Sequence, residues 1–149
     1  MKSSRIFAIG AIVVTIPLLL IYLNTVLPKY QKVTLSNGND IKVETADNVY
    51  KQTRGLMYRK HMDDNTGMLF IFDTPAKELF WMKDTLIPLD FVWIGGNMKV
   101  VDITANVPPC KADPCKLYMP AYPAKYVLEI NAGIANKQSI KVGDELKIL

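Results

Sequence analysis

Five side chains in this sequence combine charge or hydroxyl chemistry with an apolar setting: Arg54, Arg59, Lys83, Thr85 and Asp90. Around them stand Leu56, Met57, Phe80, Trp81, Met82, Leu89 and Phe91. A charge among such neighbours is costly unless it finds a partner or keeps contact with water. Two arrangements answer that demand. In one, Arg54, Arg59 and Lys83 line a cationic pocket with Trp81 as an aromatic wall and Thr85 and Asp90 completing it. Such a pocket suits a carboxylate, phosphate or sugar-like ligand. Its enzymatic version is a hydrolase or lyase with Asp90 as base and the cations as electrostatic stabilisers. In the other arrangement Asp90 pairs with an arginine or with Lys83 and ties a helix to the sheet. Those charges, mutually paired beside an exposed apolar patch, would instead mark a structural partner of another envelope protein.

Strand geometry narrows the choice. Trp81 and Lys83 share one face of an extended segment, and Phe80 and Met82 share the other. With Phe80 and Met82 turned into a core, Trp81 and Lys83 point outward together. Asp90 lies between Leu89 and Phe91, two residues after Pro88. The expectation is a split: Asp90 structural, Lys83 at the surface beside Trp81.

Other chemistries are poorly supplied. Beyond the N-terminal apolar run the serines are Ser36 and Ser139, the one histidine is His61, and no nucleophile-elbow pattern surrounds either serine. Asp63-Asp64-Asn65-Thr66-Gly67 resembles a calcium loop, but its glycine falls one position early and Thr74 stands where a bidentate Glu belongs. A turn is the simpler reading. Cys110 and Cys115 are the only cysteines, and their C-x4-C spacing is not that of a thioredoxin-like site. A zinc site would have to draw on carboxylates. A loop-closing disulfide is the simplest outcome, and it requires an oxidising compartment. No cofactor or metal is implied.

These residues must be positioned by a mostly β framework. Val33–Leu35 and Ile41–Thr45 alternate apolar and polar side chains around Asn37-Gly38, a hairpin signature. Thr45 or Asp47 can cap a helix starting near Asn48 that carries Val49, Tyr50, Arg54, Leu56 and Met57. Strands are expected at Met68–Phe72, Leu79–Met82, Leu89–Ile94, Met98–Ala105, Lys125–Ile130 and Glu145–Leu149, with a helical turn at Ala132–Lys137. Asn106–Ala124 carries five prolines and reads as an irregular connection. Within it, Tyr118–Pro123 is either an aromatic ligand platform or a cover over a sheet edge. Many short strands separated by turns make a single sandwich- or barrel-like domain with one main helix.

The 23 residues Ile6–Pro28 carry no charge and follow Lys2 and Arg5. As a helix they would span about 34 Å, enough for a hydrocarbon core of about 30 Å. The run exceeds a signal-peptide core, and no Ala-x-Ala-like site follows it. Residues 1–29 therefore read as an N-terminal membrane anchor rather than a cleaved signal peptide. Residues 30–149 read as an exoplasmic domain, with the N-terminus cytoplasmic. The net charge is +4, yet from Tyr30 onward fifteen basic residues face fourteen acidic ones, and no Lys/Arg cluster offers a nucleic-acid face. The expected partners are the membrane and a small-molecule ligand or an envelope protein.

Several segments together also carry a resemblance. They are Arg54-Gly55-Leu56-Met57-Tyr58-Arg59, Gly67–Phe72, Phe80-Trp81-Met82-Lys83-Asp84-Thr85, Ile87-Pro88-Leu89-Asp90, Pro123–Glu129, Asn131-Ala132-Gly133 and Val142-Gly143-Asp144. In this order and spacing, from about Val33 to the C-terminus, the chain resembles the prokaryotic family called domain of unknown function 192. The resemblance implies a single, mostly β, sandwich-like domain and no established reaction. Asp84 departs from the pattern, which leads one to expect Asn there.

Overall fold

Residues 16–149 are described by the structure, a computed structural model. Seven strands form within it: β1 Lys29–Thr34, β2 Asp40–Ala46, β3 Thr66–Ala76, β4 Leu89–Ile94, β5 Val100–Val107, β6 Ala124–Asn131 and β7 Lys147–Ile148. They join in one sheet in the order β5-β4-β6-β3-β2-β1-β7. Every pairing is antiparallel except β2 with β3, which run parallel. A parallel pair needs a crossover, and here it carries the short helix α1, Val49–Arg54. Asn48 rather than Thr45 or Asp47 caps that helix, its side chain accepting from Lys51 N–H at 3.0 Å. A second helical turn, α2, covers Ile134–Lys137.

The sheet curls toward closure. β7 pairs with β1 at one edge. Just before β7, Val100 N–H donates to Asp144 C=O at 2.8 Å and Leu146 N–H donates to Met98 C=O at 2.9 Å, next to the strand at the other edge. The C-terminal segment thus spans both edges and makes a half-barrel. No second sheet faces the first among the described residues, so the architecture is barrel-like and not a sandwich.

Strand alternation divides the core between the two faces. Val33, Ile41, Val43, Leu69, Val92, Ile94, Leu128 and Ile130 fill the concave interior with Ile134 and Leu146. Phe70, Leu89, Phe91, Trp93 and Val127 fill the outer face, covered by Leu56, Met62, Phe80 and Met82. Leu79–Met82 forms no ladder, contrary to the expectation of a strand. It makes a single bridge, Phe80 to Tyr118, because it crosses over the sheet instead of joining an edge. Its alternation survives: Phe80 and Met82 are buried, and Trp81 is 46% exposed. Tyr118 likewise covers the outer face, its ring 5.9 Å from that of Phe91, and not a sheet edge.

Gly67 shows how closely β3 and β6 must approach. A Cβ there would lie 2.4 Å from the Glu129 carbonyl oxygen, so only glycine fits. Cys110 and Cys115 are joined, with an S–S distance of 2.09 Å, closing a loop in the proline-rich connection.

The expected membrane span, Ile6–Leu27, falls partly on residues 1–15, outside the described residues. Residues 16–26 are helical. Among the described residues no helix is long and apolar enough to cross a membrane.

Asp90 is fully buried on the concave side. Among the described residues it pairs with no cation, unlike the arrangement in which an arginine or Lys83 would be its partner. Its Oδ1 accepts from Asn106 N–H at 2.8 Å and its Oδ2 from Ala135 N–H at 2.9 Å. One carboxylate thus stitches β5 and the first turn of α2 to β4. Asp90→Asn turns an amide N–H2 toward one of those N–H groups. Hydrogen bonds to a charged group are worth about 1.5–3 kcal/mol. A stability loss of that order is expected in urea unfolding.

Candidate functional site

A cavity of about 290 Å³ opens on the outer face, between the C-terminal end of α1 and residues 78–85. Arg54, Trp81, Lys83 and Thr85 line it, so four of the six residues singled out in the sequence come together there. Arg59 does not line it. Its guanidinium is spent on Glu44 on the neighbouring surface. Asp90 does not either, because β4 turns its side chain to the opposite face of the sheet. With its buried oxygens both engaged by backbone N–H groups, Asp90 is removed from ligand contact and from any role as base.

The positions of the four follow from local structure. Arg54 ends α1 and is exposed, with its Nη1 3.4 Å from the Tyr50 hydroxyl. Phe80 pins the opposite wall. Its ring centroid lies 4.9 Å from Phe70, 5.1 Å from Trp93 and 5.6 Å from Phe91, in edge-on or tilted contacts worth about 0.5–1.5 kcal/mol each beyond simple burial. Trp81 and Lys83 then emerge side by side, the ammonium 5.9 Å from the indole centroid. Lys83 Nζ also reaches Asp113 Oδ2 at 3.4 Å, which places the disulfide loop against this wall. Asp84 has φ = 54°, a left-handed conformation that Asp and Asn tolerate better than most residues. Its carboxylate accepts from the Tyr58 hydroxyl at 3.0 Å, and its carbonyl accepts from Tyr58 N–H at 2.7 Å. Asp at this position thus does what a turn requires. Thr85 is buried with its hydroxyl 3.4 Å from the Lys83 carbonyl oxygen.

The floor holds a residue that sequence reasoning missed. Glu129, in the middle of β6, is only 4% exposed and lines the cavity. Its cross-strand neighbours are Met68 on β3 and Phe91 on β4, both apolar. No hydrogen bond or ion pair engages its carboxyl among the described residues, yet no side-chain oxygen is sealed from both solvent and partners. The carboxyl therefore meets the cavity. Burial without a compensating cation pushes its pKa up to about 8. Gly55 caps the end of α1 beside this wall at φ = 45°, and a Cβ there would also sit 3.3 Å from the Phe70 ring. One signal was available: Glu129 stands between Leu128 and Ile130 in a strand apolar on both sides. An ionisable group at such a position is a site candidate.

A metal has poor ligands here. Cys110, Cys115 and Asp113 cluster within 4.8 Å, but the sulfurs are bonded to each other and offer no thiolate.

With this geometry in hand, likeness to other proteins becomes informative. The model of domain of unknown function 192, described as "Uncharacterized ACR", matches residues 32–148. The chain belongs to this family. A UPF0127 protein of Pyrococcus furiosus is 30% identical over 122 residues, which is 76% of this chain and 93% of that one. A UPF0127 protein of Pyrococcus abyssi is 31% identical over 110 residues, 71% of this chain and 85% of that one. Two crystal structures share the fold. One is a Sinorhizobium meliloti protein described as a candidate transcription regulator, with TM-score 0.76 and 32% identity over 83% of this chain and 96% of that one. The other is a protein of unknown function from Novosphingobium aromaticivorans, with TM-score 0.72 and 35% identity over 80% and 84%. The family carries no assigned activity, so the chemistry must be argued from the site.

Because Glu129 binds its proton more tightly folded than unfolded, it makes stability depend on pH with a definite sign. Its contribution is full below the ordinary Glu range near 4.5 and is lost as pH rises toward about 8. The slope is at most about 1.4 kcal/mol per pH unit. Glu129→Gln should flatten the pH dependence between 5 and 8, read from denaturant midpoints at each pH.

Proposed function

We propose that this domain is a small-molecule-binding module whose ligand enters between α1 and residues 78–85, with an anionic or sugar-like end toward Arg54 and Lys83. What carries the reading is Glu129, a nearly inaccessible acid on a cavity floor with no protein partner among the described residues. A purely structural core gains nothing from such a group, because an unpaired buried polar side chain costs stability. Trp81 adds an exposed aromatic surface at the rim, and the two cations supply charge-assisted contacts. Catalysis through Asp90 has no support in the geometry. Nucleic-acid binding, one way a transcription regulator of the kind the Sinorhizobium protein is described to be could work, has little support either, given the near-balanced charge from Tyr30 onward.

Attachment to the membrane through residues 6–28, with the domain on the exoplasmic side, is the second part of the proposal. Its support is the uncharged run Ile6–Pro28 and the Cys110–Cys115 bond, which belongs in an oxidising compartment. β1 starts at Lys29, immediately after that run, so the domain would sit close to the bilayer.

Two measurements test these statements. Native mass spectrometry of the full chain released from detergent should show a bound small molecule. That molecule should be lost in Lys83→Met, which keeps the apolar stem but removes the charge, and retained in Asp90→Asn. Absence of any ligand, or its survival in Lys83→Met, counts against the pocket. Protease added to intact cells stripped of any outer barrier should digest residues 30–149, and membrane protein beginning near Lys29 would overturn the anchor.

A further inference from the structure

Cations stand at the mouth of the pocket, with the partly exposed Glu78 among them, and a second acid stands deep. Arg54 is exposed and Lys83 half-exposed, so both cations stand at the solvent end. Glu129 stands at the inner end. Burial is the sole cause that raises Glu129's pKa, and no cation offsets it. The titratable groups lining the cavity with it are Arg54 from α1 and Glu78 and Lys83 from the covering segment; its strand neighbours Met68 and Phe91 do not titrate. The protein therefore supplies a buried carboxyl and, among the described residues, no positive partner for it. The walls around it are rings: Phe70, Phe72 and Phe80 line the same cavity, and Trp81 stands at its rim. Aromatic faces attract cations, and alkylated ammonium groups, which need no hydrogen-bond acceptors, gain most from them. At the mouth Arg54, engaged by no carboxylate among the described residues, and Lys83, shared with Asp113 at 3.4 Å, offer an anion its contacts, so a molecule carrying a cation at one end and an anion at the other matches both ends of the cavity.

Resting on the pocket reading above, we propose that the ligand is a small zwitterion. Its alkylated ammonium lies against Glu129 and the phenylalanine rings, and its carboxylate or phosphate meets Arg54 and Lys83 at the mouth. A cavity of about 290 Å³ is of the size that suits a compact molecule of that kind. Binding converts Glu129 from a neutral acid to a carboxylate, and its proton leaves to solvent. Affinity therefore rises with pH by up to about tenfold per unit between pH 6 and 8, with up to one proton released per ligand. A ligand that merely accepts a hydrogen bond from the neutral acid shows the opposite trend, weakening above pH 8.

Titration calorimetry of the full chain in detergent separates the cases with two probes that differ by one atom. Trimethylglycine carries the ammonium. 3,3-Dimethylbutyrate puts carbon in place of nitrogen and keeps the carboxylate. Trimethylglycine should bind about tenfold or more tightly. The preference should vanish in Glu129→Gln, and Lys83→Met should weaken both probes. Proton release, read from buffers of different ionisation enthalpy, should accompany trimethylglycine alone. Phosphocholine in solution against phosphatidylcholine vesicles tells a free solute from a lipid headgroup, and binding of either supports the zwitterion. Equal binding of the two primary probes, or tighter dimethylbutyrate, overturns the ammonium assignment and leaves the pocket standing. If no ammonium probe binds while native mass spectrometry still finds a Lys83-dependent ligand, the zwitterion falls alone. If that ligand is missing too, both readings fall.

Discussion

The outer half of the molecule depends on one ring. Phe80 lies on a segment with no ladder of its own, yet its side chain meets Phe70 and Phe72 of β3 and Phe91 and Trp93 of β4 at centroid distances of 4.9–6.3 Å. Its backbone exchanges two hydrogen bonds with Tyr118, at 2.9 and 2.8 Å. Two irregular segments, residues 77–88 and the proline-rich connection, are thereby fixed to the sheet through the same residue. The alternation imposed at Phe80 then decides the rest. Met82 joins the core, Trp81 and Lys83 face the opening, and the cavity keeps its far wall. Conformational freedom is expensive to remove from a segment without secondary structure, and a cluster of edge-on aromatic contacts is the means used here.

Two acids on neighbouring central strands show how differently one sheet treats its faces. Asp90 on β4 and Glu129 on β6 are both nearly inaccessible. Asp90 points into the concave side and receives two backbone N–H groups, so its charge is compensated by the fold itself. Glu129 points to the outer face and receives no hydrogen bond or ion pair among the described residues. The concave side is thus finished, its polar group consumed in holding β5 and α2 to β4. The outer side is unfinished at one position, and that position opens on a cavity.

Much of this was legible in the chain. The alternation of Phe80 and Met82 against Trp81 and Lys83, the apolar run of β4, the turn at Asn37-Gly38 and the pairing of the two cysteines all follow from local pattern. The placement of Asp90 inside was legible as well, but not its partners. Ionic neighbours can be sought in a sequence, whereas backbone N–H groups supplied by Asn106 and Ala135 depend on tertiary approach. The parallel pairing of β2 with β3 and the bridging of both sheet edges by residues 143–148 are likewise matters of topology. The apolar neighbours Leu56 and Met57 are what group Arg59 with the site in the sequence. The end of α1 separates it from Arg54 and leaves it to Glu44.

Glu129 is the instructive omission. Its strand pattern alone permits a solvent-facing acid, since Lys125 and Asn131 share its face and a half-exposed strand would read the same way. Its depth arises from elements distant in sequence: Met68 and Phe91 on either side, and α1 and residues 78–85 above. Once those are in place the acid weakens the fold at neutral pH, because burial disfavours its charged form and no cation among the described residues repays the cost. An apolar residue of similar volume would pack the same space more favourably. A fold that leaves a cavity open and places an uncompensated acid on its floor gives up stability at a single place, and that is the expected signature of a site that a ligand completes.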